Sequence, residues 1–278
     1  MSGRLFYVSG TGGVRVPLDG PGAFSGAAEG LRGRSWSYSL GARSLSGASR
    51  KARECELAAS FTDFAVADLL RRAADRDMAT GTPGRMEMDG WSQRAYVVAF
   101  EPSSVSRRLV SATLTVALLD GAWRKPVTQL FRPLGDDPAE EWLDAPFDLP
   151  CDLLPATGDS AIESASWLAS PAEITVWGPA SSPELAIGGN VYAFDIDVPE
   201  GSRLVVDGAS WPRSITMVSE LGDRTDCFSC GDRGGGLGSG RYCFEPVPAG
   251  RSEVRWEGGF GFDVTYYIEE GEPPWSSS

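Results

Sequence analysis

Cys227 and Cys230 enclose two residues, and Cys243 follows after twelve more. Two thiolates at the first spacing can share one Zn²⁺, which makes this trio the nearest thing in the chain to a metal site. A fourth ligand is missing nearby: Cys151 is distant in sequence, and the 278 residues include no histidine. Reduced hairpin cysteines are the plainer reading, and an oxidised Cys227–Cys230 or Cys230–Cys243 pair is a third. The lack of histidine also removes the commonest general base, so neither Ser-His-Asp nor Cys-His triads can be built. Any catalysis would have to run on carboxylates, Lys or Tyr; no enzyme activity and no cofactor is expected.

Other stretches could in principle do chemistry. Gly234 to Gly240, with only Leu237 and Ser239 interrupting the glycines, offers backbone donors to a phosphate, but no strand-to-helix context surrounds it and no Lys-Ser/Thr follows. It reads as a flexible loop between strands. The acids Asp136, Asp137, Glu140, Glu141, Asp144, Asp148 and Asp152 lack the spacing of a Ca²⁺ loop and are not framed on strands as a glycosidase pair, so a solvated or partner-facing run is expected. Among the nine tryptophans, Trp177 and Trp256 sit in strand-like segments and read as core. Trp142, Trp211 and Trp275 lie in polar, Pro-rich settings and could stack on sugar rings. The basic residues Arg32, Arg34, Arg50, Lys51 and Arg53 are interleaved with Gly, Ser and Trp36 and could face an acidic neighbour.

The elements that must position these groups are mostly strands. Leu5 to Val8 and Val14 to Pro17 read as an early strand pair, followed by short strands and mobile loops up to about Gly47. One helix is predicted, capped by Thr62 or Asp63, with Val66, Leu69, Leu70 and Ala73 as its apolar stripe. Asp89-Gly90 between two strand-like runs is a hairpin turn, since both positions favour φ > 0. Val110, Ala112, Leu114, Val116 and Leu118 alternate with small polar residues, as a half-buried strand does. Alternation resumes in Phe194/Ile196/Val198, Leu204/Val206, Val254/Trp256 and Phe262/Val264/Tyr266/Ile268, punctuated by turn signals at the spacing of an antiparallel sandwich.

Charge divides the chain in three. Residues 1–132 carry a net +6, residues 133–170 contain nine acids and no base, and residues 171–278 carry −10. This asymmetry predicts an N-terminal β domain, an acidic connector and a C-terminal β-sandwich domain. A net charge of −13 argues against wrapping of nucleic acid, and no sequence-specific nucleic-acid partner is expected. No apolar run approaches the roughly 18 residues that span a bilayer, and Met1 to Gly10 does not read as a secretory signal. No membrane partner and a cytoplasmic start are the expectations.

The order of several short motifs resembles the distal tail proteins of long-tailed bacteriophages. They are the Gly81-Thr82-Pro83-Gly84 turn before a hairpin, the strand from Ser111 running into Asp120-Gly121-Ala122-Trp123, and Pro146-Phe147-Asp148-Leu149-Pro150-Cys151-Asp152. The C-terminal part adds Tyr242-Cys243-Phe244, Pro248-Ala249-Gly250, Val254-Arg255-Trp256 and Pro273-Pro274-Trp275. The resemblance implies a mainly β fold: a split β-barrel-like N-terminal domain with one helix, and a galectin-like sandwich. It implies a structural protein of the virion tail, assembled in the host cytoplasm as a six-membered ring that joins the tail tube protein to tail-tip, fibre or receptor-binding proteins. It carries no catalytic residues over. In such a ring, Arg32, Arg34, Arg50, Lys51 and Arg53 would meet acids such as Asp148 and Asp152 across the subunit boundary or face the tube. The competing reading is a carbohydrate-binding sandwich; a carboxylate hydrolase is a third.

Overall fold

A computed structural model describes residues 5–133 and 160–274. The chain forms two compact units: the first comprises residues 1–125 and 269–278, the second residues 126–268. The segment after Ile268 thus groups with the first unit.

In the first unit seven strands pair antiparallel in the spatial order Arg15–Asp19, Leu5–Val8, Gly84–Met88, Trp91–Val105, Val110–Leu118, Arg53–Phe61, Ala23–Phe24. The two outermost strands are consecutive in sequence, joined only by Gly20, Pro21 and Gly22. A flat sheet would hold its edges far apart, so this short link requires the sheet to curl toward closure, the barrel-like form expected. Asp89 and Gly90 adopt φ of 50° and 83°, the mirror-image turn that the dipeptide predicts. Along Val110–Leu118, Ala112, Leu114, Val116 and Leu118 are buried, as the alternation requires.

The main helix, α2, spans Phe64–Thr80 after a four-residue helical turn, α1, at Glu29–Arg32. The short turn departs from the reading of that region as strands and loops. It forms where Gly30 crosses Glu56 so closely that a methyl group would overlap the Glu56 carbonyl oxygen. Asp63 caps α2, its Oδ1 accepting from the Ala65 amide at 2.9 Å. The buried stripe is Ala67, Leu70, Ala73, Ala74 and Asp77, whereas Leu69 is exposed and Val66 only half-buried. The stripe is rotated from the expected one because it holds small alanines against the sheet and a buried aspartate.

In the second unit, strands Arg224–Asp226, Ser214–Val218, Arg203–Asp207, Ala172–Trp177 and the part of Gly261–Glu270 up to Ile268 lie side by side in that order. A further sheet runs Ala161–Ser164, Gly250–Trp256, Glu184–Ile187, Asn190–Ala193. Ile174, Val206, Phe262 and Val264 of the former share one apolar core with Ile162, Leu185, Tyr192 and Val254 of the latter. This is the sandwich that the alternation predicts. Phe131 stacks on Phe262 with ring centroids 4.7 Å apart, and Trp256 meets the same ring edge-on at 5.3 Å. The Phe194/Ile196/Val198 alternation does not form one strand: one strand ends at Ala193, Phe194 makes an isolated bridge to Gly231, and the next strand starts at Asp197. Between them Phe194 donates its amide to Pro183 O and Asp195 to Cys230 O.

Candidate functional site

The cysteine corner lies in the second unit. Cys227 and Cys230 flank a single helical turn at Phe228–Cys230, closed by the Cys230 amide donating to Cys227 O at 2.9 Å. Cys243 is buried, and its amide donates to Asp232 O. All three are free thiols. Burial, with the neighbouring Cys227 adding to it, pushes the Cys230 thiol up to about 11, and burial pushes Cys243 up to about 11 as well. Among the described residues no three Cys, Asp or Glu side chains converge as a metal-holding group. Burial thus favours the neutral form of Cys230 and Cys243.

The glycine run is folded onto the protein's own carboxylates. Gly238 and Gly240 donate their amides to Glu245 Oε1 at 2.6 and 3.1 Å, and Gly234 donates to Asp232 Oδ1 at 2.8 Å. Glu245 is buried, and Tyr192 donates its hydroxyl to the Glu245 backbone carbonyl. Three of the amides that sequence reading offered to a phosphate are therefore engaged by the protein's own side-chain oxygens, within the expected loop between strands.

Trp211 is 85% exposed, preceding Pro212 in a loop of the second unit. Trp142 and Trp275 lie outside the described residues, as do Cys151, Asp148 and Asp152. Trp177, expected in the core, is exposed on its strand; its indole N–H donates to Asp263 at 3.0 Å while Arg203 covers the ring. Trp256 packs partly buried against the core, donating to Phe260 O.

The five basic residues have different surroundings. Arg53 donates to the Gly30 and Leu31 carbonyls at 3.0 and 3.1 Å, satisfying the end of α1. Arg32 donates to the Pro273 and Pro274 carbonyls, both at 3.1 Å. Arg50 lies over the Trp36 ring, 4.8 Å from its centroid. Arg34 and Lys51 are exposed.

Sequence reading missed the most conspicuous surface feature. Among the described residues, strands Ser37–Leu40 and Leu45–Ser49 pair only with each other, and apart from the half-buried Ser37 all their residues are exposed. Leu40 is 73% and Leu45 56% exposed. The spacing of Trp36, Tyr38 and Leu40 was visible, but periodicity does not say whether a face is covered.

Two antiparallel β units, one carrying the helix α2 and one a sandwich, make up a fold also seen in a phage baseplate chain. The chain matches a chain of the phage P2 baseplate in its activated conformation with Ca at a TM-score of 0.62 and 8% identity, over 97% of this chain and 98% of that one. It matches one from the same baseplate with Sr at 0.63 and 8% identity, over 97% and 99%. The SPP1 Dit protein, described as a paradigm of the hub adsorption apparatus of Gram-positive-infecting phages, scores 0.49 at 9% identity over 96% and 98%. No family model and no curated protein matches the sequence. The fold is that of a phage baseplate chain, in agreement with the sequence resemblance to distal tail proteins.

Proposed function

We propose that the chain is a structural protein of a phage tail tip. In this reading it is a distal tail protein that forms a ring, six-membered as in the family it resembles, between the tail tube and the tail-tip or receptor-binding components. The observation that carries the reading is the near-complete coverage of both chains in the baseplate comparison, which includes both units rather than one common sandwich. The exposed Tyr38, Leu40 and Leu45 of the hairpin Ser37–Ser49 support it, because apolar side chains bared to solvent are stabilised by a partner. The protein acts by holding neighbours, without a cofactor or a catalytic step, in the virion tail after assembly in the host cytoplasm. The basic N-terminal 132 residues supply the ring, and the C-terminal sandwich faces adsorption components.

Mass photometry with negative-stain microscopy across a concentration series tests this. Six-fold rings with a central hole support it; absence of the protein from purified tails would remove it. The exposure of Trp211 favours one second reading, a sandwich that binds glycans. Binding on a glycan array that disappears with Trp211→Ala would establish that reading.

A further inference from the structure

The hairpin carries one charge. From Ser35 to Ser49 the only residue charged at neutral pH is Arg43, at the turn between Leu40 and Leu45. Arg43 is exposed, without a hydrogen-bond or ion-pair partner among the described residues, and the Gly41 amide donates to Ser44 O to close the turn beneath it. A hairpin this long projects its tip about 13 Å from its base. Its tip is thus a guanidinium flanked by two exposed leucines.

The same unit has a depression of the opposite chemistry. Glu29, Glu56, Ala27, Ala58 and Thr113 line it together with Ser25. Neither carboxylate is ion-paired among the described residues, and no basic residue lines the depression. Ser25 is only 7% exposed, and its hydroxyl has no hydrogen-bond partner. A buried hydroxyl left without a partner is unfavourable and is satisfied when a donor arrives. Two carboxylates and a hydroxyl beside small apolar walls match the five N–H donors of a guanidinium carried on an apolar tip.

We propose that the hairpin tip of one copy docks in this depression on a second copy, with Arg43 placed on Glu29, Glu56 and Ser25 and its flanking leucines on the alanine walls. The two patches differ, so the contact is head-to-tail, the kind that closes a ring. The inference rests on the ring reading and gives it a contact.

The test uses the full chain with Arg43→Glu, Glu56→Arg and the two combined, with association measured by sedimentation velocity. Each single reversal should weaken association at least about tenfold, and the double reversal should recover it to within about threefold of the starting protein. These side chains are exposed, so unchanged thermal melts will show that the variants fold. Rings that form equally well in both single variants, or a double variant no better than the singles, overturn the contact and leave the ring reading standing. A parent chain that stays monomeric at every concentration overturns the contact and removes the ring's support too.

Discussion

Tyr7 donates its hydroxyl to Asp77 Oδ2 at 2.7 Å, joining the first strand to the last turns of α2 with both side chains buried. Ser9 Oγ and the Gly10 and Thr11 amides complete the set of donors, at 2.8, 3.1 and 2.9 Å. Burial alone would raise the Asp77 pKa, but the hydrogen bonds from Tyr7, Thr11 and Ser9 outweigh it, and the carboxyl titrates below its ordinary value. A depressed carboxylate stabilises the fold above its unfolded pKa, near 3.9, and that contribution disappears as pH falls through the lower folded value. Asp77→Asn presents an amide to donors and should lose about 3 kcal/mol at pH 7. Urea unfolding at pH 7, 4 and 3 checks both points, since the variant's deficit should narrow toward the acid end.

Gly30 is required by contact rather than by φ. A side chain there meets the Glu56 carbonyl, which belongs to the paired backbone of the strand Arg53–Phe61 and cannot retreat. Gly30→Ala should destabilise the protein by about 3 kcal/mol or more. Thermal unfolding reads this directly, and an unchanged Tm would show that α1 can move away from the strand.

Arg53 and Lys51 lie two positions apart and should respond differently to truncation. Arg53→Ala leaves the Gly30 and Leu31 carbonyls without their donor and should lose about 1–3 kcal/mol of stability. Lys51→Ala, at an exposed position, should change stability by less than about 0.5 kcal/mol. Denaturant titration of the two variants separates structural from surface basic residues.

The cysteine corner should resist thiol chemistry. With Cys230 and Cys243 near 11, their thiolate fractions at neutral pH are about a hundredfold below that of an ordinary thiol, and alkylation should slow accordingly. Peptide mapping after timed alkylation measures it. Because the folded thiols are held protonated, their stabilising contribution is present below the ordinary thiol range near 9 and is lost as pH rises toward 11.

Much of the fold was legible where local chemistry leaves one solution. Asp89-Gly90 needs φ > 0 at both positions and forms the turn, and the alternation over Val110–Leu118 fixes which side chains enter the core. The stripe of α2 was misread because Val66 and Leu69 outweigh alanines on a hydropathy pattern, and because an aspartate reads as solvent-facing. Asp77 is buried only because Tyr7 and the loop after it, some 70 residues away, supply its donors. The surface was less legible still. Arg32, Arg34, Arg50, Lys51 and Arg53 look like a patch in sequence, yet Arg32 and Arg53 are occupied by backbone carbonyls and Arg50 by a tryptophan ring. The exposed hairpin was hidden for the opposite reason, since Tyr38 and Leu40 alternate just as buried residues would.

The grouping of residues 269–278 with the first unit, to which Arg32 adds its bonds to Pro273 and Pro274, bears on how the chain is made. The second unit is an insertion within the first, which is interrupted after Lys125 and resumes only at Glu269. During synthesis the ribosome therefore delivers all of the sandwich before the segment that completes the first unit. A premature stop anywhere in the sandwich removes that segment and impairs a unit whose other 125 residues were already translated.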